Sequence, residues 1–158
     1  MDSDNKYELA LSISPTPLMV VGHNGTILLT NQHFNHLFGY DEGELSDKPV
    51  EILVPDQIAA AHPELRQAFF ELPTNRSMGT GRDLFGKHKD GHRIPIEIGL
   101  QPIGDGDEIT VLVSVVDITE RKNNELRIRL ALDASASAMI MIDDAGKIVL
   151  TNASAEFM

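Results

Sequence analysis

The sequence predicts an α+β fold with a five-stranded antiparallel sheet and short helices packed on one face. Two β-prone runs, "PLMVV" and "TILLT", come first, short helical segments interrupted by Pro follow, and three further β-prone runs come last. After the Gly-rich stretch "MGTGR" the hydrophobic period changes from 3.6 to 2 residues. The order is therefore two strands, several short helices and three strands, which is typical of α+β domains.

Composition excludes several classes of protein. The apolar content of 42% is enough for a packed core, whereas a net charge of -11 disfavours binding to nucleic acid. The absence of Cys excludes disulfides, thiol nucleophiles and Cys-ligated zinc. No apolar stretch approaches the ~20 residues that a membrane span needs. We therefore expect a soluble chain with neither a nucleic-acid partner nor a membrane span.

The first segment, "YELALSI", is amphipathic and predicts a helix over residues 5–13. Leu9 and Ile13 are spaced for one face of that helix, with Tyr7 and Leu11 nearby. An apolar face ahead of the first strand favours association of two copies. We expect a homodimer.

The first two strands predict a hairpin that leads into a capped helix. Asn24 and Gly25 suit the two positive-φ positions of a type I′ turn. Asn31 can cap the helix "QHFNHLFGY", which Gly39 ends. In the next helical region, "PELRQAFFEL", the spacing of Leu65, Phe69 and Leu72 predicts a core-facing stripe.

The last three strands follow an alternating pattern. "RDLFGKH" and "RIPIEIGLQPI" flank the turn "KDG", and "EITVLVSVVDI" is predicted to be a central strand because it is apolar almost throughout. From Thr119 the chain has neither Gly nor Pro for about 15 residues and predicts a charged helix. That helix would bridge the end of this domain to the start of a second one.

The sequence contains an internal repeat. Residues 9–31 match residues 130–152 at an offset of 121, with nine identical positions among 23. This indicates a tandem repeat of a whole domain, with a first domain over 1–121, a linker helix over 122–133 and the start of a second domain over 134–158. We expect so short a second segment to lack a core, and its "AMIMI" strand to be disordered or paired with a sheet edge or another chain.

Four segments carry a family resemblance: the paired "G-x-I-x-x-x-N" stretches, "NQHFNHLFGYDEGEL", "GKHKDGHRIPIEI" and the exit "VVDITERK". In this order they resemble the PAS domain. The resemblance implies a cytosolic sensory or dimerisation module of a bacterial signalling protein, commonly a histidine kinase or a cyclic-dinucleotide enzyme. No phosphoacceptor helix, ATP lid or "GGDEF" stretch occurs, so we expect no catalysis by these residues and an output domain outside them.

The segment "DITER" stands where a strand passes into a helix. Asp117 or Thr119 can cap the free N–H groups of that helix, and Asp117 can reach Arg121. A simple helix cap explains these residues equally well. The resemblance favours a second role, in which they couple the sheet to the helix.

A small-molecule pocket is expected between the sheet and the short helices. Its predicted walls are Leu53, Ile58, Leu65, Phe69, Ile96, Ile98 and Leu100. The same periodicity also serves a packed core. A ligand-free module for protein interaction is therefore the alternative.

The cofactor is left open by the sequence. Without Cys, the flavin photoadduct of the light-sensing members is excluded. The stretch from "VPDQ" to "RIPI" is similar to oxygen-sensing haem PAS kinases, which implies His62 as an iron ligand and Arg82 as a haem contact. Because Pro63 follows His62, an exposed helix-capping His is the competing interpretation.

Four other histidines form two pairs. His33 and His36 share a helix face, and His88 and His92 flank the "KDG" turn. Neither pair has an evident third ligand, so we expect surface positions and no metal site.

Overall fold

A computed structural model of the chain describes residues 3–78, 84–104 and 109–156. The chain divides after Ile118 into two compact units, unit 1 (residues 1–118) and unit 2 (residues 119–158). Among the described residues, no helix is both long and apolar enough to cross a membrane.

The elements of unit 1 are α1 (Ser3–Ile13), β1 (Leu18–Gly22), β2 (Ile27–Thr30), α2 (Gln32–Phe38), a 3₁₀ helix (Val50–Leu53), α3 (Asp56–Ala59), α4 (His62–Glu71), β3 (Arg76–Met78), β4 (Leu84–Lys87), β5 (Arg93–Ile103) and β6 (Thr110–Asp117).

The sheet of unit 1 is antiparallel and has five strand positions. Its order is β2-β1-β6-β5, and β3 and β4 share the edge beyond β5. β3 pairs with residues 98–100, and β4 pairs with residues 93–96. The predicted five-stranded sheet is therefore confirmed, with one edge position supplied by two short segments.

The core lies between one face of this sheet and the helices. Alternate residues of the long strands point into it, because successive side chains of a strand leave on opposite faces. β6 lies between β1 and β5, as its apolar run predicted. The buried core residues are Met19, Val21, Ile27, Phe34, Phe38, Leu45, Leu53, Phe69, Ile94, Ile96, Val111, Val113 and Val115.

The hairpin between β1 and β2 is confirmed, but its predicted type I′ turn is wrong. Gly25 has a φ of 84°, while Asp47 is the one described non-Gly residue with a positive φ, so Asn24 has the ordinary sign. The Gly25 N–H donates to the Gly22 carbonyl (2.9 Å). The loop is thus a turn with one left-handed glycine, a common type of hairpin connection. The Arg66 guanidinium packs where a Cβ on Gly25 would stand.

Helix α4 turns a different face to the core from the one predicted. Phe69 is buried as expected, but Leu65 is 64% exposed and Leu72 is 80% exposed. The inward face instead contains Arg66, Phe69 and Phe70, at spacings of three and four residues. The predicted stripe is wrong because Arg66 has polar partners within unit 1 that hold this face inward.

Unit 2 is a helix followed by a hairpin. Its elements are α5 (Thr119–Asp133), β7 (Ile140–Ile142), β8 (Ile148–Thr151) and α6 (Ala153–Glu156). The predicted helix of about 15 residues is confirmed. The expectation that the "AMIMI" strand is disordered is wrong, because β7 pairs with β8 of its own hairpin. Asn152 is the only buried residue among those described in this unit, so it has no apolar core, as expected.

Candidate functional site

Asn31 joins three elements of unit 1 through its side-chain amide. Its Oδ1 accepts the Leu18 N–H at the start of β1 and the Phe34 N–H in α2, both at 3.0 Å. Its Nδ2 lies within hydrogen-bond distance of three carbonyls in and after α1, which are those of Leu11 (3.1 Å), Ser14 (3.3 Å) and Thr16 (2.8 Å). Asn31 and these five partners are called the asparagine clamp below.

The clamp explains how α1 is held at the sheet. Asn31 is buried, with 3% of its surface exposed. A buried amide is costly unless its donors and acceptors are paired, and here both groups are. The residue therefore acts both as the predicted cap of α2 and as an anchor for the end of α1 and the segment after it.

Unit 2 repeats this arrangement around Asn152. The Asn152 Nδ2 donates to the carbonyls of Leu132 (2.9 Å) and Ser137 (3.0 Å), and its Oδ1 accepts the N–H groups of Met139 (2.7 Å) and Ala155 (3.2 Å). Each of these partners lies 121 positions after a member of the asparagine clamp, which is the offset of the sequence repeat. Within unit 2, α5 thus holds the place that α1 holds within unit 1.

The predicted coupling residues lie at the end of β6 and the start of α5. Asp117 is the last residue of β6 and pairs with Ile96 of β5. Ile118 is buried, and its N–H donates to the Pro95 carbonyl (3.0 Å). Thr119 is the first residue of α5, and the Arg121 Nε lies 4.0 Å from the Glu125 carboxylate one turn later. The coupling role of Asp117, Thr119 and Arg121 stays a prediction.

The predicted pocket walls divide into a buried group and an exposed group. Two of the seven residues, Ile58 and Leu65, lie at the surface and are 45% and 64% exposed. They are exposed because α3 spans only four residues and α4 turns Arg66 and Phe69 inward. The other five lie in the core or against it, namely Leu53, Phe69, Ile96, Ile98 and Leu100.

Two clefts of the described structure, one in each unit, are lined by other residues than the predicted pocket walls. In unit 1, a cleft of about 900 Å³ between α1 and α2 is lined by Leu11, Asn31, Asn35 and Tyr40 among others. In unit 2, a second cleft lies between α5 and β8. The Asn35 Oδ1 is buried without a hydrogen-bond partner, so it is the one orphaned polar atom among the described buried side chains.

His62 belongs to a polar network on the inward side of α4. It is the first residue of the helix rather than its cap, which is Ala61. Its Nδ1 lies 3.0 Å from the Glu51 Oε1, and the Arg66 Nε lies 3.3 Å from the same oxygen. Arg66 also donates to the His23 carbonyl (3.2 Å). Glu51 therefore links the 3₁₀ helix to α4, and Arg66 links α4 to the first hairpin.

The charge state of Glu51 follows from this network. Burial raises the pKa of its carboxyl, but hydrogen bonds from His62 and the nearby charge of Arg66 outweigh burial, so the pKa lies below its ordinary value of 4.5. Glu51 is therefore ionised at neutral pH and accepts charge-assisted hydrogen bonds.

The residues do not fit a haem at His62. The His62 Nδ1 lies 3.0 Å from the Glu51 Oε1, which leaves Nε2 as the ring nitrogen that could meet an iron. The core beside α4 is filled by Leu53, Phe69 and Ile96. His62 does not line either of the two clefts described above. Arg82, the predicted haem contact, lies outside the described residues.

The remaining histidines are near the surface, as expected. His33 and His36 are exposed on α2. His88 and His92 flank the β4–β5 turn, and the Asp90 Oδ1 lies within 3.0 Å of the Nδ1 atom of each ring. Hydrogen bonds from the backbone N–H and the ring of His92 lower the pKa of Asp90 to about 2.

The family assignment rests on a match along most of unit 1. The family model described as the PAS fold matches residues 5–118. The chain belongs to the PAS family. Unit 1 is therefore a PAS domain, and α5 begins directly after the matched region.

The curated relatives of this PAS chain include two bacterial sensors. Sensor protein FixL of Bradyrhizobium diazoefficiens is 26% identical over 115 residues, which cover 73% of this chain and 23% of FixL. Oxygen sensor protein DosP of Escherichia coli is 24% identical over 153 residues, which cover 95% of this chain and 19% of DosP. The chain thus spans less than a quarter of either relative. The DosP match extends well past Ile118 into unit 2.

Solved structures agree on the fold. A PAS domain from Colwellia psychrerythraea matches with a TM-score of 0.62 at 22% identity, covering 76% of this chain and all of that one. The PAS domain of an HTR-like protein from Haloarcula marismortui matches with a TM-score of 0.59 at 22% identity, covering 73% of this chain and 92% of that one. At such identities the likeness establishes the fold alone.

Sequence reasoning missed three residues of these sites. Asn31 was interpreted only as a helix cap, although its recurrence as Asn152 within "LTN" was a signal of a larger role. Glu51 gave no signal, because its partners lie 11 and 15 residues further along the chain. Asp90 stands midway between His88 and His92 and could have been found from that spacing.

Proposed function

We propose that the chain is the sensory part of a larger signal-transduction protein and that α5 relays a change in the sheet of unit 1 to the next domain. The asparagine clamp and its repeat carry this proposal. α5 starts where β6 ends, and its last turn is tied by Asn152 to the next hairpin. A helix connected at both ends transmits a displacement better than a flexible linker does.

Residues 134–158 are, on this proposal, the opening of a second PAS domain. The β7–β8 hairpin has the register of β1–β2, with a register shift at the equivalent position. Ile140, Ile142 and Ile148 are exposed, whereas Met19, Val21 and Ile27, their equivalents in unit 1, are buried. Helices like those of unit 1 would cover this apolar face.

On this proposal, the output domain of the larger protein is that of a histidine kinase or a cyclic-dinucleotide enzyme. Support comes from the two sensor relatives, which are more than four times as long as the matched region. The chain itself would supply sensing and dimerisation in the cytoplasm, and catalysis would lie elsewhere.

The relay can be tested in a chimera. Residues 1–133 would be joined to the dimerisation and catalytic region of a well-characterised histidine kinase, with α5 continued as one helix. Inserting seven residues after Asp133 rotates the output by about 20°, whereas inserting two rotates it by about 200°. We expect kinase activity to survive the seven-residue insertion and to change at least several-fold with the two-residue one. Equal activity in both chimeras would contradict a helical relay.

The input that unit 1 senses is either a small molecule bound in its core or contact with a partner protein. Because the core is packed, we favour contact with a partner protein. Mass spectrometry of small molecules retained by the purified chain distinguishes the two cases. A molecule that is retained by the wild type and lost when Ile98 or Leu100 is replaced by Trp would establish ligand binding. An empty chain that still dimerises would establish the ligand-free interaction module.

The similarity to an oxygen sensor favours one alternative, a haem-based gas sensor with His62 as iron ligand. The packing beside α4 speaks against it, since Leu53, Phe69 and Ile96 belong to a filled core. The test is an absorption spectrum of the chain expressed with added haem. A Soret band that is lost in His62→Ala would establish the alternative, and the absence of a band would exclude it.

A further inference from the structure

The turn between β4 and β5 brings three metal-ligating side chains together. The His88 N–H donates to the His92 carbonyl (2.9 Å), which closes the turn. The two imidazole rings stack at a centroid distance of 4.4 Å. Asp90 lies between them in sequence and directs its carboxylate back towards both rings.

The ligand atoms converge on one point. The His88 Nδ1 lies 3.0 Å from the Asp90 Oδ1, and the His92 Nδ1 lies 2.5 Å from the same oxygen. In a zinc site with bonds of about 2.0–2.2 Å, neighbouring ligand atoms are about 3.0–3.5 Å apart. All three ligand atoms lie within 4.8 Å of one another, so side-chain adjustments of about 1–2 Å bring them to coordination distance.

The His88 ring is oriented by its surroundings. It packs against Gly39, where a Cβ would lie 2.3 Å from the ring Nε2 and Cε1 atoms. The Lys89 N–H donates to the Phe38 carbonyl (2.9 Å), which anchors the turn to the end of α2. Nε2 therefore faces the protein, and Nδ1 faces Asp90.

The local charges also suit a cation. The Lys89 ammonium group is turned away from the turn and pairs with Glu44 at 2.8 Å. The Asp90 N–H also lies 3.2 Å from the His88 Nδ1, and a metal ion bound at that nitrogen would replace this hydrogen bond.

We propose that His88, Asp90 and His92 form a binding site for a divalent transition-metal ion, with Zn²⁺ as the favoured occupant. Two imidazoles and one carboxylate suit Zn²⁺, Ni²⁺ or Cu²⁺, whereas Mg²⁺ and Ca²⁺ require mostly oxygen ligands. The three protein ligands leave a coordination position for water. The site is separate from α5 and does not depend on the relay proposal.

The proposal is tested by calorimetric titration of Zn²⁺ into the 158-residue chain, prepared without a polyhistidine tag. We expect saturable binding of one ion per chain that excess Mg²⁺ does not displace. His92→Ala removes an exposed ligand and should weaken binding at least about tenfold. Asp90→Asn keeps the acceptor for the His92 N–H, so it leaves the turn intact and should weaken binding by a similar factor.

The matched control is His33→Ala, which removes another exposed histidine and should bind Zn²⁺ as the wild type does. Circular dichroism verifies that each variant is folded. Absence of binding at about 1 mM Zn²⁺, on the order of the weakest natural metal sites, would overturn the proposal. Undiminished binding by both His92→Ala and Asp90→Asn would also overturn it.

Discussion

At the scale of the residue, Asn31 combines two functions in one amide. Its oxygen caps α2, and its nitrogen holds carbonyls in and after the last turn of α1. A hydroxyl or a carboxylate could accept the cap hydrogen bond, but neither offers the two N–H donors of a carboxamide. This requirement explains why the second copy also has Asn at this position.

Asn31→Ala should lower the free energy of unfolding by about 2–4 kcal/mol, because it leaves buried backbone groups without partners. Asn31→Ser keeps only the cap hydrogen bond to α2 and should be about 1 kcal/mol more stable than Asn31→Ala. The measurement is urea denaturation followed by circular dichroism. Asn35→Ala is the control, since Asn35 is similarly buried but its Oδ1 has no partner. Equal losses in Asn31→Ala and Asn35→Ala would mean that the clamp contributes nothing.

Glu51 should make the stability of unit 1 depend on pH. Because its pKa is lower in the folded chain than the ordinary 4.5, its contribution is present above that value and is lost as the pH falls below it. We expect Glu51→Gln to cost about 1–2 kcal/mol at about pH 7 and less at a pH below the lowered pKa of the folded chain. Glu64→Gln, which changes an exposed carboxylate of the same helix, is the control. A Glu51→Gln effect of equal size at both pH values would contradict the ionic network.

At the scale of the element, two helices present apolar side chains to solvent. On α1, Leu9 is 58% exposed and Ile13 is 75% exposed. On α4 and directly after it, Leu65 and Leu72 are exposed because the polar network of Glu51 holds the opposite face inward. Exposed apolar side chains on a helix commonly mark a surface for association.

Dimerisation should depend on α1 and not on α4. The double variant Leu9→Glu/Ile13→Glu places charges in the proposed helix–helix contact and should convert a dimer into a monomer. Light scattering over a range of concentrations measures the change. Leu65→Glu adds a charge at a similarly exposed position of α4 and should leave the dimer intact. A wild-type chain that is monomeric at all concentrations would contradict the proposed dimer.

At the scale of the whole molecule, the two units differ in how they are stabilised. Unit 1 has an apolar core packed between its sheet and its helices. Unit 2 has hydrogen bonds around Asn152 and an exposed hairpin. Because apolar burial is the main favourable contribution to folding, the units should differ widely in local stability.

Amide hydrogen exchange should be slow in β6 and fast in β7 and β8. Asn152→Ala should accelerate exchange in unit 2 and leave β1 and β6 unchanged, since the Asn152 side chain bonds to groups of unit 2. Mass spectrometry of peptic fragments provides the measurement. Protection of β7 as strong as that of β6 would contradict this prediction and would show that the hairpin has a stabilising partner.

The elements whose patterns are local could be predicted from the sequence. Alternation identified β5, an apolar run identified β6, and the internal repeat identified β7 and β8. Which face of α4 packs against the core could not be predicted from such local patterns. It depends on Glu51, which meets Arg66 from 15 positions away.

The sequence by itself determined the PAS fold, the internal repeat of residues 9–31 and the extent of α5, because hydrophobic periodicity and turn residues act over a few neighbouring positions. The tertiary structure decided what the side chains of these elements do. It joined Asn31 to α1, turned His62 towards Glu51 and brought Asp90 between two histidines. These contacts depend on which segments meet in space. The pattern of residues along the chain indicates only whether each segment favours a helix, a strand or a turn.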